Sequence, residues 1–330
     1  MQSASTMSQW ILERVNRYLT NLDRNVPIHS KDDKVPYVAD IQLHRWILVH
    51  AGVPLLIHQL YASTTGNNLS PMAAFVFYLS AFAIFLAREF RLTRTLGQAY
   101  GFFDGDGHAR DRVRDFGPRK AISSMLLAAL LRPLMKICLT YTMDDLPAST
   151  DWAWLLPQVT VYGIVVDFWY YWSHRLAHEV PALWRFHRTH HLTKHLNALL
   201  TGYADDAQGL VEIAGLPLVA HGTMTLLGLP MGFYAWYLAD CYVTFTEVFG
   251  HSGVRLHVSS PSGLTWLMRR FEADLVVEDH DLHHRSGWRR SSNYGKHTRI
   301  WDRVFGTCRA RVEGIVDNID YQNRAEIPVL

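Results

Sequence analysis

The hydropathy of the chain rises and falls in six long waves. Apolar residues dominate 46–63, 71–87, 121–141, 152–172, 210–228 and 230–249, with polar or charged stretches between them. The second wave, "PMAAFVFYLSAFAIFLA", carries no charge and approaches the roughly 20 residues needed to cross a bilayer. The third contains Arg132 and Lys136, four residues apart and so on one helix face, where they must snorkel or point into protein. Ahead of the waves, "SQWILERVNRYLTNL" (8–22) spaces Trp10, Ile11, Val15, Leu19 and Leu22 along one helical face. That spacing predicts an amphipathic helix packed on the protein's own surface or lying at a membrane interface. Residues 88–120 read as a polar loop. Its "DGDG" lacks the spacing and late glutamate of a calcium loop and reads as a solvated turn.

Charge sharpens this map. The 32 Lys and Arg residues fall as six in 1–45, eight in 88–120, four in 173–209, twelve in 250–330 and two inside the third wave. The linkers "TTGNNLS" (64–70) and "TMDDLPASTD" (142–151) carry none. If each wave crosses once, every basic stretch lies on one side and every uncharged or acidic linker on the other, as the positive-inside rule expects. The expected architecture is therefore all-α: a multi-pass transmembrane stem of about four to six spans, with both termini and the histidine-rich stretches facing the cytoplasm. Four segments follow: a cytosolic, amphipathic 1–45; membrane helices and a cytoplasmic loop over 46–150; a histidine-bearing domain over 151–310; and a tail over 311–330.

Composition agrees. Charged residues make up 19% of the 330, against roughly 25% in soluble domains, and hydrophobic residues 49%. The net charge of +2 gives no nucleic-acid footprint. The first 40 residues lack the basic-then-apolar pattern of a signal peptide. Cys138, Cys241 and Cys308 are scattered, with no CxxC spacing, so they neither staple a secreted scaffold nor build a thiolate metal site.

The chemistry lies in the histidines. His174 and His178 share a face of a helix continuing the fourth wave; Pro181 then ends that helix and starts another. On the second helix His187, His190 and His191 form HxxHH and again occupy one face, at i, i+3 and i+4. His280, His283 and His284 repeat it. With 18 histidines in 330 positions, chance supplies only about 0.05 copies of HxxHH. Neutral imidazole is the commonest metal ligand near pH 7, and this spacing aims several rings at one point. Eight histidines exceed the four ligands of one tetrahedral ion, so a two-metal site is the natural count.

A second regularity extends the set. Asp167, His174 and His178 stand at offsets 0, 7 and 11, and Asp240, Glu247 and His251 repeat those offsets at the end of the sixth wave. This makes His251 a ninth candidate ligand. It makes Asp167, Asp240 and Glu247 candidates for accepting ring N–H groups of the ligands or lining the site.

HxxxH, HxxHH and a late HxxHH, followed by "NYG" (293–295) and "WDRVFGT" (301–307), resemble the fatty acid hydroxylase and sterol desaturase superfamily. The likeness covers roughly 150–310. It implies a helical membrane stem under a cytosolic histidine-rich cap, two iron ions held by His174, His178, His187, His190, His191, His280, His283 and His284 with His251, and O2-dependent oxidation of a lipid C–H bond. It also implies that 293–295 and 301–307 shape the cap. Many members carry a further histidine about fifteen residues past the first HxxHH. Here "TGYADDAQGLVE" (201–212) stands in that place, making Asp206, or else His195 or His221, candidate replacements beside Asp205.

Hydroxylation is the expected outcome, with desaturation the alternative. A di-metal hydrolase of lipid headgroups, or a metal-binding or transport protein without catalysis, are readings from other classes. With no flavin or haem module in the chain, electrons would come from an external donor, a ferredoxin or a cytochrome with its reductase. Arg285, Arg289 and Arg290 are candidate docking residues for its acidic face, or contacts for anionic membrane lipids.

Overall fold

A computed structural model of the protein describes residues 26–105, 117–285 and 291–329, without the side chains of 117–119. The amphipathic segment 8–22 and Arg289 and Arg290 lie outside the described residues.

Each apolar wave becomes a helix. They are α1 (Asp40–Thr65), α2 (Pro71–Tyr100), α3 (Gly117–Thr140), α4 (Trp152–Glu179), α6 (Asp206–Leu226) and α7 (Phe233–Gly250). The short α5 (Pro181–His187) follows α4 directly, with Pro181 in its first turn, where a missing N–H costs nothing. α6 is interrupted by a π turn at Val211–Gly215. Beyond α7 come α8 (Thr265–Arg270), α9 (Val277–Arg285) and α10 (Ile300–Phe305). The all-α expectation holds apart from a two-residue parallel pair, β1 (Val35–Pro36) with β2 (Ile319–Asp320), which ties the chain's two ends together.

α2 runs to Tyr100 rather than ending at 87, so the expected polar loop is shorter than 88–120. The extension "REFRLTRTLGQAY" is amphipathic, and it buries Phe90, Leu92, Leu96 and Gly97 against the protein.

Among the described residues three helices, Pro71–Tyr100, Lys120–Thr140 and Asp206–Leu226, are long and apolar enough to cross a membrane. Four to six spans were expected. The remaining waves carry polar side chains that point inward: His58 in α1, Asp167 and His174 in α4, Asp240 in α7. The outer surface is apolar over Leu48, Leu56 and Leu60 of α1, Leu126 and Leu130 of α3, and Leu218 and Leu226 of α6, all exposed. A water-soluble protein rarely presents such contiguous patches; this is an integral membrane protein with these faces toward lipid.

α7 is the axis of the bundle. Fifteen of its eighteen residues are buried, packed among α1, α2, α3 and α4, with α9 above. On one side Phe245 joins Trp46 and Phe85, at ring separations of 5.1 and 5.2 Å from the indole. On the other, Trp236 donates its Nε1–H to the Tyr162 hydroxyl of α4 (3.0 Å). Buried aromatics carry a large share of core packing energy, and their polar tips find partners.

Arg132 and Lys136 point into the protein. Arg132 reaches Asp240 (2.6 Å), Thr244 (3.2 Å) and Glu247 (3.2 Å) of α7, and Lys136 reaches the other oxygen of Asp240 (2.7 Å). Opposite charges on α3 and α7 thus neutralise each other inside the bundle, the arrangement that makes buried ions tolerable.

Candidate metal centre

α4 carries His174 and His178 out of the bundle. Nearby, α5 delivers His187 at its last residue, and the chain then tightens into a 3₁₀ turn at His190–Leu192. This corrects the expectation that His187, His190 and His191 occupy one helical face. The tightened turn sends His191 back toward His187 and His190 to the opposite side. α9 divides its motif the same way: His280 and His284, one helical turn apart, point one way and His283 the other.

Two adjoining groups result. One holds His174, His178, His187, His191 and His283; the other holds His190, His251, His280 and His284. Within each, one ligand atom per residue lies within 4.8 Å of all the others, and all nine side chains are buried. The candidate ninth ligand, His251, is thus brought together with the second group.

The hydrogen bonds around the rings define their tautomers. His174 donates from Nδ1 to the carbonyl of Tyr294 (2.8 Å), His251 to that of Glu247 (2.6 Å), His283 to that of Ser292 (2.7 Å) and His284 to that of Thr193 (2.8 Å). With the proton on Nδ1, Nε2 offers a bare lone pair. The Nε2 atoms of the rings converge. The Nε2 of His191 stands 3.0 Å from those of His178 and His187 and 3.1 Å from that of His283; the Nε2 of His251 stands 2.9 Å from that of His280 and 3.2 Å from that of His190.

Nitrogens at that distance share either a ring proton or a cation, and a single Nε2 proton on His191 cannot serve His178, His187 and His283 at once. Two imidazole nitrogens, each about 2.1 Å from one ion and at right angles, stand about 3.0 Å apart. The Nε2 atoms of His174 and His284 are buried and lack any hydrogen-bond partner. Burial, reinforced by the neighbouring imidazoles, pushes His187, His190, His191, His280 and His283 well below the usual histidine range, and His284 down to about 3. The rings are held neutral, the form that ligates. The residues present therefore fit metal ions, one per group.

The carboxylates in and around α9 position its histidines rather than joining them. Glu278 accepts the N–H groups of Val312, Glu313 and Gly314 (2.7–2.8 Å). Asp279 accepts from Val276 N (2.9 Å) and the Arg311 guanidinium, and Asp281 pairs with Arg285. The NYG stretch completes the support. Asn293 adopts a left-handed φ of 54°, which asparagine tolerates better than most residues, and donates its side-chain amide to Asp279 O (2.9 Å). Gly295 is required because an added Cβ would run into the carbonyl of Thr298. Asp302, from "WDRVFGT", accepts from Tyr294 N and Gly295 N, both 2.8 Å, so it sets the carbonyl that orients His174.

Asp167, Asp240 and Glu247 differ from expectation: their carboxylates hold other partners than ligand ring N–H groups. Asp167 accepts from the backbone N–H groups of Lys296, His297 and Thr298 and from the Thr298 hydroxyl (2.6–3.1 Å). Asp240 and Glu247 neutralise Arg132, and Glu247 also faces Lys296 (3.8 Å). Backbone carbonyls supply the ring acceptors instead, because the cap folds its loops directly over the rings.

The candidate replacements lie outside both groups. Asp206 is largely exposed, 3.8 Å from Lys120; Asp205 caps α6 through Ala207 N. His195 lies 3.8 Å from Asp104, and His221 meets the carbonyl of Met231 (3.1 Å) beneath the Trp236 ring. Arg285 pairs with Asp281 and Asp104.

Lys296 and Glu212 were not anticipated. Lys296 Nζ sits between Glu212 (3.1 Å) and Glu247, and Glu212 lies in the π turn of α6. Only the acids crowded around the late HxxHH, in "VVEDHDLHH", were a visible signal that this region is charge-supported.

Comparisons with known proteins agree with this geometry. Residues 159–307 match the family model described as fatty acid hydroxylase. The chain is 41% identical over 316 residues to the fatty acid hydroxylase vlmA of Lecanicillium sp, covering 91% of this chain and 86% of that protein. It is 30% identical to human alkylglycerol monooxygenase over 53% of this chain and 35% of the relative. It is also 30% identical to methylsterol monooxygenase erg25A of Aspergillus fumigatus, over 55% of each. The chain thus spans about a third of the human relative's length and about half of the Aspergillus one's. No solved structure matches. With the histidine arrangement and membrane helices in place, the chain belongs to the fatty acid hydroxylase and sterol desaturase superfamily of membrane hydroxylases and monooxygenases.

Proposed function

We propose that this protein hydroxylates a C–H bond of a membrane lipid, using O2 and two iron ions held by the nine histidines. The observation that carries the reading is the convergence of buried imidazole nitrogens in two adjoining groups, one of five rings and one of four. Overall, one lipid C–H and one O2 take up two electrons and two protons and yield an alcohol and one water. The irons would supply the redox chemistry that an unactivated C–H bond requires and that no side chain offers.

The chain's own residues do the rest. His174, His178, His187, His191 and His283 would hold one ion, and His190, His251, His280 and His284 the other. The carbonyls of Tyr294, Glu247, Ser292 and Thr193 hold the proton on Nδ1 in four of these rings, leaving Nε2 free to ligate. The surrounding helices and loops exclude water: none of the nine histidines is more than 8% exposed. All-imidazole ligation leaves the site without a charged carboxylate ligand, which sets it apart from hard-metal carriers. The two electrons come from a separate donor protein, and the basic loop distribution supports a cytoplasmic cap where such donors are found.

The test is expression of the wild type and His283→Ala, with iron quantified and lipid extracts compared by mass spectrometry. The wild type should carry two irons and add 16 mass units to a lipid; the variant should lose iron and the product. Loss of two hydrogens instead would make the enzyme a desaturase. Two zinc ions with O2-independent lipid cleavage would overturn the reading.

A further inference from the structure

The nine clustered histidines are buried, so electrons must enter the chamber through protein. Tunnelling falls off steeply with distance, which favours entry where the wall is thinnest. Two aromatic side chains pack on the rings of the five-histidine group. Tyr294 meets His174, His178 and His283 at ring separations of 5.5–5.8 Å, and only 3% of it is exposed. Trp184 meets His178, His187 and His191 at 5.2, 6.0 and 5.6 Å, and it is partly exposed. One indole thus spans the wall, from three of the clustered imidazoles to the protein surface.

The surface beside Trp184 is built from α5 and the turn that follows it. Val180, Leu183 and Leu192 are exposed there, and so are the cations Arg185, Arg188 and Lys194. Arg188 donates its backbone N–H to the Trp184 carbonyl (2.8 Å), so residue 188 lies one helical turn beyond the indole on the same face. The chain from 180 to 204 contains no Asp or Glu. The acids at its two ends are engaged: Glu179 pairs with Arg175 (2.8 Å), and Asp205 caps α6 through Ala207 N (3.1 Å). Among the described residues, none of the three cations forms an ion pair. Trp and Arg are enriched among the residues that carry binding energy in protein contacts, and weak redox encounters need less than about 1,200 Å² of buried surface. This face has the charge and the composition for such an encounter.

We propose that Trp184 is the point where electrons enter the metal centre, and that the α5 face docks the acidic side of a one-electron carrier protein. The need for a donor protein belongs to the hydroxylase reading above, and the entry point rests on it. In each encounter the carrier's reduced haem or iron–sulfur group loses one electron, and one ferric ion of the centre becomes ferrous. Two encounters supply the two electrons that one hydroxylation consumes. Trp184 acts as a bridge: no bond forms or breaks at its ring. Arg185, Arg188 and Lys194 steer the acidic carrier, and the exposed apolar residues around the indole pack against it. Anionic lipid headgroups would also meet these cations, but they give no reason for the indole to touch three of the clustered imidazoles.

The test mixes the purified, iron-loaded protein in detergent, without O2, with a reduced acidic ferredoxin or a reduced soluble b-type cytochrome. Carrier oxidation is followed by absorbance. The wild type should oxidise at least one carrier, and more slowly as salt rises. Arg185→Glu combined with Arg188→Glu should raise the carrier concentration for half-maximal rate about tenfold and leave the limiting rate unchanged. Calorimetric affinity for the oxidised carrier should fall by the same factor. Trp184→Leu should lower the limiting rate about tenfold at saturating carrier, and Trp184→Phe, which keeps a ring, should recover most of it. Dithionite, which needs no docking, should reduce the iron in every variant. Carrier kinetics unchanged by the charge reversal overturn the proposal and leave the face to lipid headgroups. A wild-type limiting rate in Trp184→Leu overturns it too, as does a wild type that dithionite reduces and neither carrier does. Where Trp184→Leu loses iron, the charge-reversed protein still decides. If the variants behave as expected while lipid extracts gain no oxygen, the hydroxylase reading fails and the entry point stands. If extracts gain oxygen while carrier kinetics ignore both changes, the entry point falls alone.

Discussion

Two polar regions are buried in this protein, and they solve the same problem in opposite ways. The layer beneath the cap joins Lys136, Arg132, Asp240, Glu247, Lys296 and Glu212, each cation against at least one carboxylate at 2.6–3.2 Å. The chamber above it is built from nine neutral imidazoles whose free nitrogens face one another. The ionic layer is complete by itself: its charges cancel and its job is to lock α3, α7 and the 296–298 loop together. The chamber is incomplete by itself, because one ring proton on His191 cannot satisfy the three nitrogens that face it. The same degree of burial therefore has two meanings, structural where polarity is satisfied and functional where it is left open.

The comparison breaks first in the chamber. Removing one ring from the five-histidine group with His191→Ala should empty at least that metal position and abolish oxidation, measured as iron per protein and lipid product. Full iron content in this variant would place His191 outside the centre. Next in size, Arg132→Met should leave the layer with one more buried carboxylate than cations and cost about 3–5 kcal/mol, read as a lowered melting temperature in detergent. Arg132→Lys, keeping the charge, should lose far less. An equal loss in both would show that shape rather than charge holds the layer.

Smaller effects probe the join between the regions. Asp302→Ala removes the acceptor for Tyr294 N and Gly295 N, so the carbonyl orienting His174 drifts; iron affinity should fall about 10- to 100-fold with the bundle still folded. Unchanged iron binding would mean the NYG loop does not orient the ligands. The smallest effect belongs to Asp206→Asn. With its carboxylate largely exposed and outside both groups, iron content and product should stay at wild-type levels. Loss of iron there would restore Asp206 as a ligand.

Much of this was readable before any coordinates, for identifiable reasons. The six waves became helices because a long apolar run satisfies its backbone most cheaply as a helix, and loop charge added the membrane setting. Proline at 181 marked the break between α4 and α5 because it has no N–H to give a continuing helix. The repeated offsets of Asp167, His174 and His178 against Asp240, Glu247 and His251 were real in placement, since both trios end at the chamber. Their carboxylates, expected either to accept ligand ring N–H groups or to line the site, took other partners than ring N–H groups: helical periodicity reports which face a residue occupies, not which partner another element brings to it. Arg132 and Lys136 show the same limit. Their position on α3 said they must leave lipid, and only α7 said where they go.

By itself, then, the sequence determined the elements, the membrane faces and the identity of the histidine-rich motifs, because those depend on local periodicity and composition. Tertiary structure alone decided which histidine joins which group. His190 and His191 are adjacent in the chain and belong to different groups, and His283 parts from His284, because a 3₁₀ turn and a helix facing two ways divide each HxxHH between the two groups. It alone decided that loop carbonyls, not carboxylates, set the tautomers. These are outcomes of close approach between distant segments, and no local pattern encodes them.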